Sequence, residues 1–242
     1  MTLRVGSAIV QAVSVQNSLS RYVEAGLRLI YPSVCALCHQ LLELEEKEVC
    51  PDCRSQIEKL KLFPSEERIR KNFAWGDEGW ALFRYEGAVK EIFHQIKFSR
   101  RRDLVRIFSG PLAQMAARRP QLAGYDRIVG IPQDSRRRLE REFNQSALLA
   151  VILGKIVEKK PARALLEKSP TPPQSRLGRE GRQWNVDRAF RIRRPGEAAG
   201  ASILLVDDIF TTGATLEQAA RALKEAGAKR VGYLVIARSL LN

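Results

Sequence analysis

The sequence predicts an α/β protein: a parallel sheet flanked by helices, with a small four-cysteine module ahead of it. Three observations predict this. From residue 125 to residue 238, apolar strand signals alternate with helix signals, the pattern of a parallel sheet with crossover helices. Within that region Ser202-Ile-Leu-Leu-Val206 is almost wholly apolar, as a strand covered on both faces must be. All four cysteines fall between residues 35 and 53, and 242 residues leave room for one ordinary domain plus a small module.

Residues 1–34 read as a helical lead-in. Val5, Ile9, Ala12, Leu19, Val23, Leu27 and Ile30 supply the apolar face of one or two amphipathic helices. Arg4 ahead of the apolar stretch 5–15 faintly resembles a signal peptide, but Gln11 and Ser14 interrupt it. A packing role is expected, and with it a cytoplasmic protein. No apolar run approaches the roughly 18–20 residues of a membrane helix, so no membrane insertion is expected.

Residues 35–60 hold Cys35-x-x-Cys38 and Cys50-x-x-Cys53, eleven residues apart. In a secreted chain four cysteines can form two disulfides. Nothing suggests secretion, so metal ligation is favoured. Two such knuckles offer four thiolates at the spacing of a structural, tetrahedral zinc site with no position open to water. Iron in a rubredoxin-like site is the minor alternative. The module is acidic: Glu43, Glu45, Glu46, Glu48, Asp52 and Glu58 stand against Lys47, Arg54 and Lys59. The net charge of the chain is +14. The module carries −3, which leaves +17 on the rest. Packing or protein docking is therefore expected of the module, and phosphate contact of the remainder.

The main domain spans residues 79–242. A strand is expected at 80–85 and a helix at 88–97, then a second helix from Asp103 that Gly110-Pro111 kinks or divides. Residues 127–131 form a short strand, followed by an arginine-rich loop. Asn144 can cap a helix running to about Val157. Another short strand is expected at 164–166. The polar stretch 169–188 contains Pro170, Pro172, Pro173, Gly178 and Gly181. A loop of roughly 20 residues in so compact a fold reads as an active-site lid. A helix at 215–226, closed by Gly227, and a strand at 231–237 complete the domain.

The chemistry concentrates in residues 203–215, Ile-Leu-Leu-Val-Asp207-Asp208-Ile-Phe-Thr211-Thr212-Gly213-Ala214-Thr215. An apolar strand ends in two carboxylates, and a threonine- and glycine-rich turn opens a helix. Ligands of open α/β sheets sit beyond the carboxyl ends of the strands. The free amides and the dipole at a helix start favour an anion. Gly213 lets the backbone approach a phosphate, and the hydroxyls of Thr211, Thr212 and Thr215 can donate to it. Paired carboxylates beside a phosphate site make sense if the ligand also presents hydroxyls, because ionised carboxylates only accept hydrogen bonds. A sugar phosphate meets both demands, and magnesium would reduce the repulsion further. Neither a Walker A pattern nor Gly-x-Gly-x-x-Gly occurs.

This segment resembles the phosphoribosyl-pyrophosphate signature of type I phosphoribosyltransferases. Other stretches narrow the resemblance to the ComF family of competence-associated, amidophosphoribosyltransferase-like proteins. They are Tyr31-Pro32, Tyr85-Glu86-Gly87, Ile96-Lys97-Phe98, Arg141 with Phe143-Asn144-Gln145, Thr171-Pro172-Pro173-Gln174, Arg182, Asn185-Val186 and Phe190. The resemblance implies the type I phosphoribosyltransferase fold with a zinc-ribbon-like module at its N-terminal side. It also implies roles: Asp207 and Asp208 on the ribose hydroxyls, and Thr211, Thr212, Gly213, Ala214 and Thr215 on the 5′-phosphate. The loop from Gln133 to Asn144, with Arg136, Arg137, Arg138 and Arg141, would face pyrophosphate. The 169–188 stretch, with Gln174 and Arg182, would be a hood.

Two functions follow as expectations. The first is transfer of the phosphoribosyl group of phosphoribosyl pyrophosphate, with magnesium, to an acceptor that no residue set names. The second is a non-catalytic protein that binds single-stranded DNA during uptake, alongside proteins of the competence machinery. The basic clusters at 97–106, 136–141 and 176–194 motivate it.

Overall fold

The computed structural model describes residues 32–69, 73–133, 143–162, 164–168 and 189–239. The helical lead-in at 1–30, the arginines of the loop at 136–141 and the 169–188 stretch lie outside the described residues. The chain divides into two compact units, residues 1–56 and residues 57–242.

In the first unit the described residues form a cysteine-bearing turn. Val34 and Leu41 pair as an antiparallel bridge, and the amide of Cys35 donates to the Gln40 carbonyl at 2.8 Å. His39 accommodates the reversal with a φ of 61°. A helix, α1 (Pro51–Lys59), begins directly after Cys50 and carries Cys53 in its first turn.

The second unit is built on a four-stranded sheet. In chain order its elements are β1 (Glu78–Arg84), α2 (Gly87–Phe98), a 3-10 helix (Arg102–Phe108), α3 (Ser109–Arg118) and β2 (Arg127–Gly130). Then come α4 (Gln145–Ile156), β3 (Leu166–Lys168), β4 (Phe190–Ile192), β5 (Ser202–Phe210), α5 (Ala214–Glu225) and β6 (Arg230–Arg238). The strand order is β1-β6-β5-β2, with every neighbouring pair parallel.

The central strands are buried on both faces, as their composition predicts: Ile203, Leu204, Leu205 and Val206 of β5 and Val231, Tyr233, Leu234, Val235, Ile236 and Ala237 of β6 are all fully buried. The helices bury one face each. Val89, Ile92, Phe93 and Ile96 of α2 and Leu216, Ala219, Ala220 and Leu223 of α5 recur at helical spacing. The outer edge of β1 is covered by residues 60–69, whose backbone bonds include Leu62 N–H to the Leu82 carbonyl and Ile69 N–H to the Gly79 carbonyl, both 2.8 Å. A covered edge offers no template for pairing with another chain.

Three expectations change. The helix from Asp103 is divided one residue before Gly110, at the boundary of the 3-10 segment and α3. Pro111 thereby falls in the first turn of α3, where its missing N–H leaves no bond unmade. The strand expected at 164–166 is displaced to Leu166–Lys168 and is not part of the parallel sheet. It pairs antiparallel with β4, Leu166 opposite Ile192 and Lys168 opposite Phe190. In the chain, the 169–188 stretch thus falls between two strands that pair with each other. The strand expected to end at the carboxylates instead runs through them to Phe210. Ile209 and Phe210 are apolar and continue the register with Ala237 and Arg238 of β6, so the ladder extends past Asp208.

Candidate functional site

Asp207 and Asp208 lie near the carboxyl end of β5, and two neighbouring elements, α4 and α2, meet them. Side chains alternate along a strand, so adjacent residues face different partners. From the start of α4, Ser146 donates its hydroxyl to Asp207 Oδ1 at 2.7 Å and Gln145 donates Nε2 to Asp208 Oδ2 at 2.9 Å. From α2, Lys97 Nζ lies 2.8 Å from Asp208 Oδ2. The backbone contributes as well: the amide of Asp208 donates to Asp207 Oδ1 at 2.9 Å, and that of Ile209 to Asp208 Oδ1 at 2.7 Å. Asp208 is buried and Asp207 partly so. Burial and the adjacent Asp208 carboxylate push the Asp207 carboxyl up to about 7, against the bonds from Ser146 and the Asp208 amide and the charge of Lys97. Burial, with the charge of Asp208, also raises the Tyr85 phenol at the end of β1.

Position depends on a close approach. A Cβ on Gly130, the last residue of β2, would sit 2.6 Å from the Ser146 carbonyl oxygen and 2.7 Å from Ala147 Cα. Only glycine lets the start of α4 lie this near the sheet. Gly130→Ala is therefore expected to displace Gln145 and Ser146 from the carboxylates and to lower stability by about 1–3 kcal/mol. Chemical denaturation reads the second effect.

Beyond the carboxylates, Gly213 is the N-cap of α5 at a φ of 78°, a conformation that disfavours side chains. Thr211, Thr212 and Ala214 are exposed, and Thr215 is partly so. The Ala214 amide reaches Thr212 Oγ1 at 3.4 Å. The free end of α5 and this turn together offer amides and hydroxyls to an anion.

The cysteines form a second cluster. The four Sγ atoms lie within 4.8 Å of one another, and Cys38 and Cys50 Sγ are 3.7 Å apart. That is far outside a disulfide bond of about 2.05 Å. It matches the edge of about 3.8 Å that a tetrahedron with metal–sulfur bonds of about 2.3 Å requires. The amides of Leu37 and Cys50 point at Cys35 Sγ, at 3.5 and 3.4 Å. Burial alone would raise the Cys35 thiol, but its amide donors from Cys38, Cys50 and Leu37 outweigh it and bring it down to about 6. This donor set fits a metal ion held by four thiolates.

Residues 128–240 match the Phosphoribosyl transferase domain family. Over 218 residues the chain is 29% identical to DNA utilization protein YhgH of Escherichia coli K12, covering 88% of this chain and 94% of that one. It is 29% identical to Competence protein ComFC of Streptococcus pneumoniae over 209 residues, 85% and 87% of the two chains. Against Competence protein ComFC of Bacillus subtilis the identity is 28% over 217 residues, 88% and 81%. These similarities support the ComF family for this chain. Its parallel sheet with flanking helices is the phosphoribosyltransferase fold, and its four-cysteine cluster fits a zinc-ribbon-like module.

The structure brings Asp207 and Asp208 together with the 211–215 turn on one strand–turn–helix unit. Asn144 is engaged at the base of α4: its Oδ1 accepts from the Ala147 amide at 3.1 Å, and its Nδ2 donates to the Ile131 carbonyl at 2.9 Å. It caps the helix as its sequence position predicts and ties the helix to the end of β2. Arg136, Arg137, Arg138, Arg141, Gln174 and Arg182 lie outside the described residues. Three side chains on the carboxylates have no role assigned by the sequence: Ser146, and Gln145 and Lys97, which fall in stretches that carry the family resemblance. Gln145 and Ser146 are the first two residues after a helix cap, and Lys97 reads as one member of a basic run. Of that run, Arg101 is paired with Asp103 at 2.8 Å.

Proposed function

We propose that this protein binds phosphoribosyl pyrophosphate and transfers its phosphoribosyl group to an acceptor, releasing pyrophosphate. The observation that carries this reading is the unit of β5, the 211–215 turn and α5. A hydrogen-bonded carboxylate pair is followed within a few residues by an anion-favouring helix start. Asp207 and Asp208 would accept from the ribose hydroxyls. The amides of 213–215 and the threonine hydroxyls would hold the 5′-phosphate. Magnesium, carried on the pyrophosphate, would screen the charge of the leaving group. Holding both ends of the sugar fixes the anomeric carbon against the acceptor, and orientation of this kind is a large share of such catalysis. Calorimetry with phosphoribosyl pyrophosphate, with and without magnesium, tests binding. Release of pyrophosphate across candidate acceptors tests transfer. Wild-type protein that binds no phosphoribosyl pyrophosphate with magnesium present would reject the reading.

The four cysteines are proposed to hold one structural zinc, since four thiolates leave no site for a reacting water. Single-stranded DNA binding is a second reading, favoured by the names of the relatives and by the charge of +17 outside the module. If it holds, log affinity falls with log salt at about −0.7 per phosphate contact. Arg100→Ala, Arg101→Ala and Arg102→Ala combined should then flatten that slope by up to about two units. Affinity that ignores salt, or that is lost only on changing charges within 35–60, would move the nucleic-acid surface off the transferase domain.

A further inference from the structure

Lys97 does not behave as a surface lysine. Its side chain is only 19% exposed. One turn before it on α2 stands Phe93, and the ammonium lies 5.7 Å from the centre of that ring. On its other side the ammonium is 2.8 Å from Asp208 Oδ2, the oxygen that also accepts from Gln145. Both Asp208 oxygens are thus engaged, Oδ1 by the Ile209 amide and Oδ2 by Lys97 and Gln145. No bond engages Asp207 Oδ2 among the described residues, while Asp207 Oδ1 takes both Ser146 and the Asp208 amide. The two carboxylates are therefore unequal. One is held by a fixed cation, and the other keeps an oxygen for a ligand.

Resting on the sugar-phosphate reading of this site, we propose that Lys97 is a positioning residue of the ligand site. Its ammonium neutralises Asp208, so that Asp207 can stay ionised beside it and accept a ribose hydroxyl. Two adjacent carboxylates without a counter-charge resist double ionisation, and the one with fewer partners takes up the proton. A protonated Asp207 loses an acceptor for the sugar. The groups that face Asp207 among the described residues are few. They are Asp208 on its own strand, Lys97 from α2, Tyr85 from the end of β1, and the uncharged Ser146 and Gln145 from α4. Lys97 is the only cation among them. The Asp207 carboxyl already sits at about 7 with Lys97 lowering it, so its removal moves the titration upward.

The test compares wild type, Lys97→Met and Lys97→Arg, each first shown folded by thermal melting. Calorimetry with magnesium and phosphoribosyl pyrophosphate runs from about pH 6 to about pH 8.5, spanning the Asp207 titration. Wild-type affinity is expected to rise as pH passes through about 7. Lys97→Met is expected to bind about tenfold or more weakly at neutral pH, with its midpoint displaced upward, and Lys97→Arg to stay near wild type. The ligand titrates identically in all three proteins, so a difference between them belongs to the protein. Carbon-13 NMR of the aspartate carboxyls, without ligand, reads the Asp207 midpoint directly. Wild-type protein that binds no phosphoribosyl pyrophosphate would defeat the functional reading, and the proposal with it as a ligand-site role. If wild type binds, equal midpoints in wild type and Lys97→Met overturn the role of Lys97. A uniform weakening that is independent of pH and not rescued by arginine also overturns it, since that is what lost packing produces.

Discussion

Asp207→Ala combined with Asp208→Ala is expected to abolish measurable binding of phosphoribosyl pyrophosphate while sparing binding of inorganic pyrophosphate. Each hydroxyl-to-carboxylate bond is charge-assisted and contributes about 1.5–3 kcal/mol. Losing two would weaken binding by roughly two to four orders of magnitude. The same substitutions delete negative charge beside an anion site and leave Lys97, Gln145 and Ser146 without their acceptors. A ligand made only of phosphates should therefore bind at least as well as before, because it made no use of the carboxylates. Gly213→Val gives the opposite pattern. A β-branched residue at a φ of 78° strains the N-cap by about 1–2 kcal/mol, and it crowds the amides that face the 5′-phosphate. Ribose 5-phosphate binding should then be lost with both carboxylates still in place. Calorimetry with the three ligands separates these outcomes. Equal losses for all three in the aspartate variant would mean that the carboxylates serve the fold and not the sugar.

Removing the metal from the cysteine cluster is expected to unfold the described part of the first unit. Metal analysis should return about one equivalent of zinc per chain. The secondary structure there is slight: one β-bridge between Val34 and Leu41, a few backbone bonds such as Ala36 N–H to the Glu48 carbonyl at 3.0 Å, and the start of α1. Without a bound ion, so little buried surface cannot offset the entropy of ordering the chain. Binding of a structural zinc supplies an apparent 10–16 kcal/mol, roughly, in small peptides. Chelator should therefore abolish amide protection across residues 32–56 in hydrogen exchange. Cys50→Ser should do the same without chelator, because Cys50 both donates its amide to Cys35 Sγ and places its own Sγ 3.7 Å from that of Cys38. Well-protected amides in metal-free protein with reactive thiols would reject the assignment.

The sequence by itself determined the strand–turn–helix unit at 203–215, the parallel sheet and the cysteine cluster, because each depends on residues close together in the chain. An apolar run buried on both faces, a glycine at a helix start and two Cys-x-x-Cys pairs are local patterns with local causes. Asn144 belongs with them, since a helix cap is made three residues from itself. The tertiary structure decided the rest. Where β5 ends depended on its pairing with β6, which lies across a helix in the chain. The departure of residues 166–168 from the parallel sheet depended on β4, more than twenty residues later. The partners of the carboxylates come from α4 and α2, some 60 and 110 residues before β5. Their arrival rests on a glycine in β2 that admits the α4 backbone. Lys97 falls in the Ile96-Lys97-Phe98 stretch that carries the resemblance, but nothing local marks it, among the basic residues that follow, as the partner of a carboxylate. It is set apart because the buried face of α2 places Phe93 against the core and so turns the next residue on that side, one turn on, toward Asp208. Charge is read from sequence as a sum, but an ion pair needs two atoms at contact distance, and only the folding of distant elements supplies that.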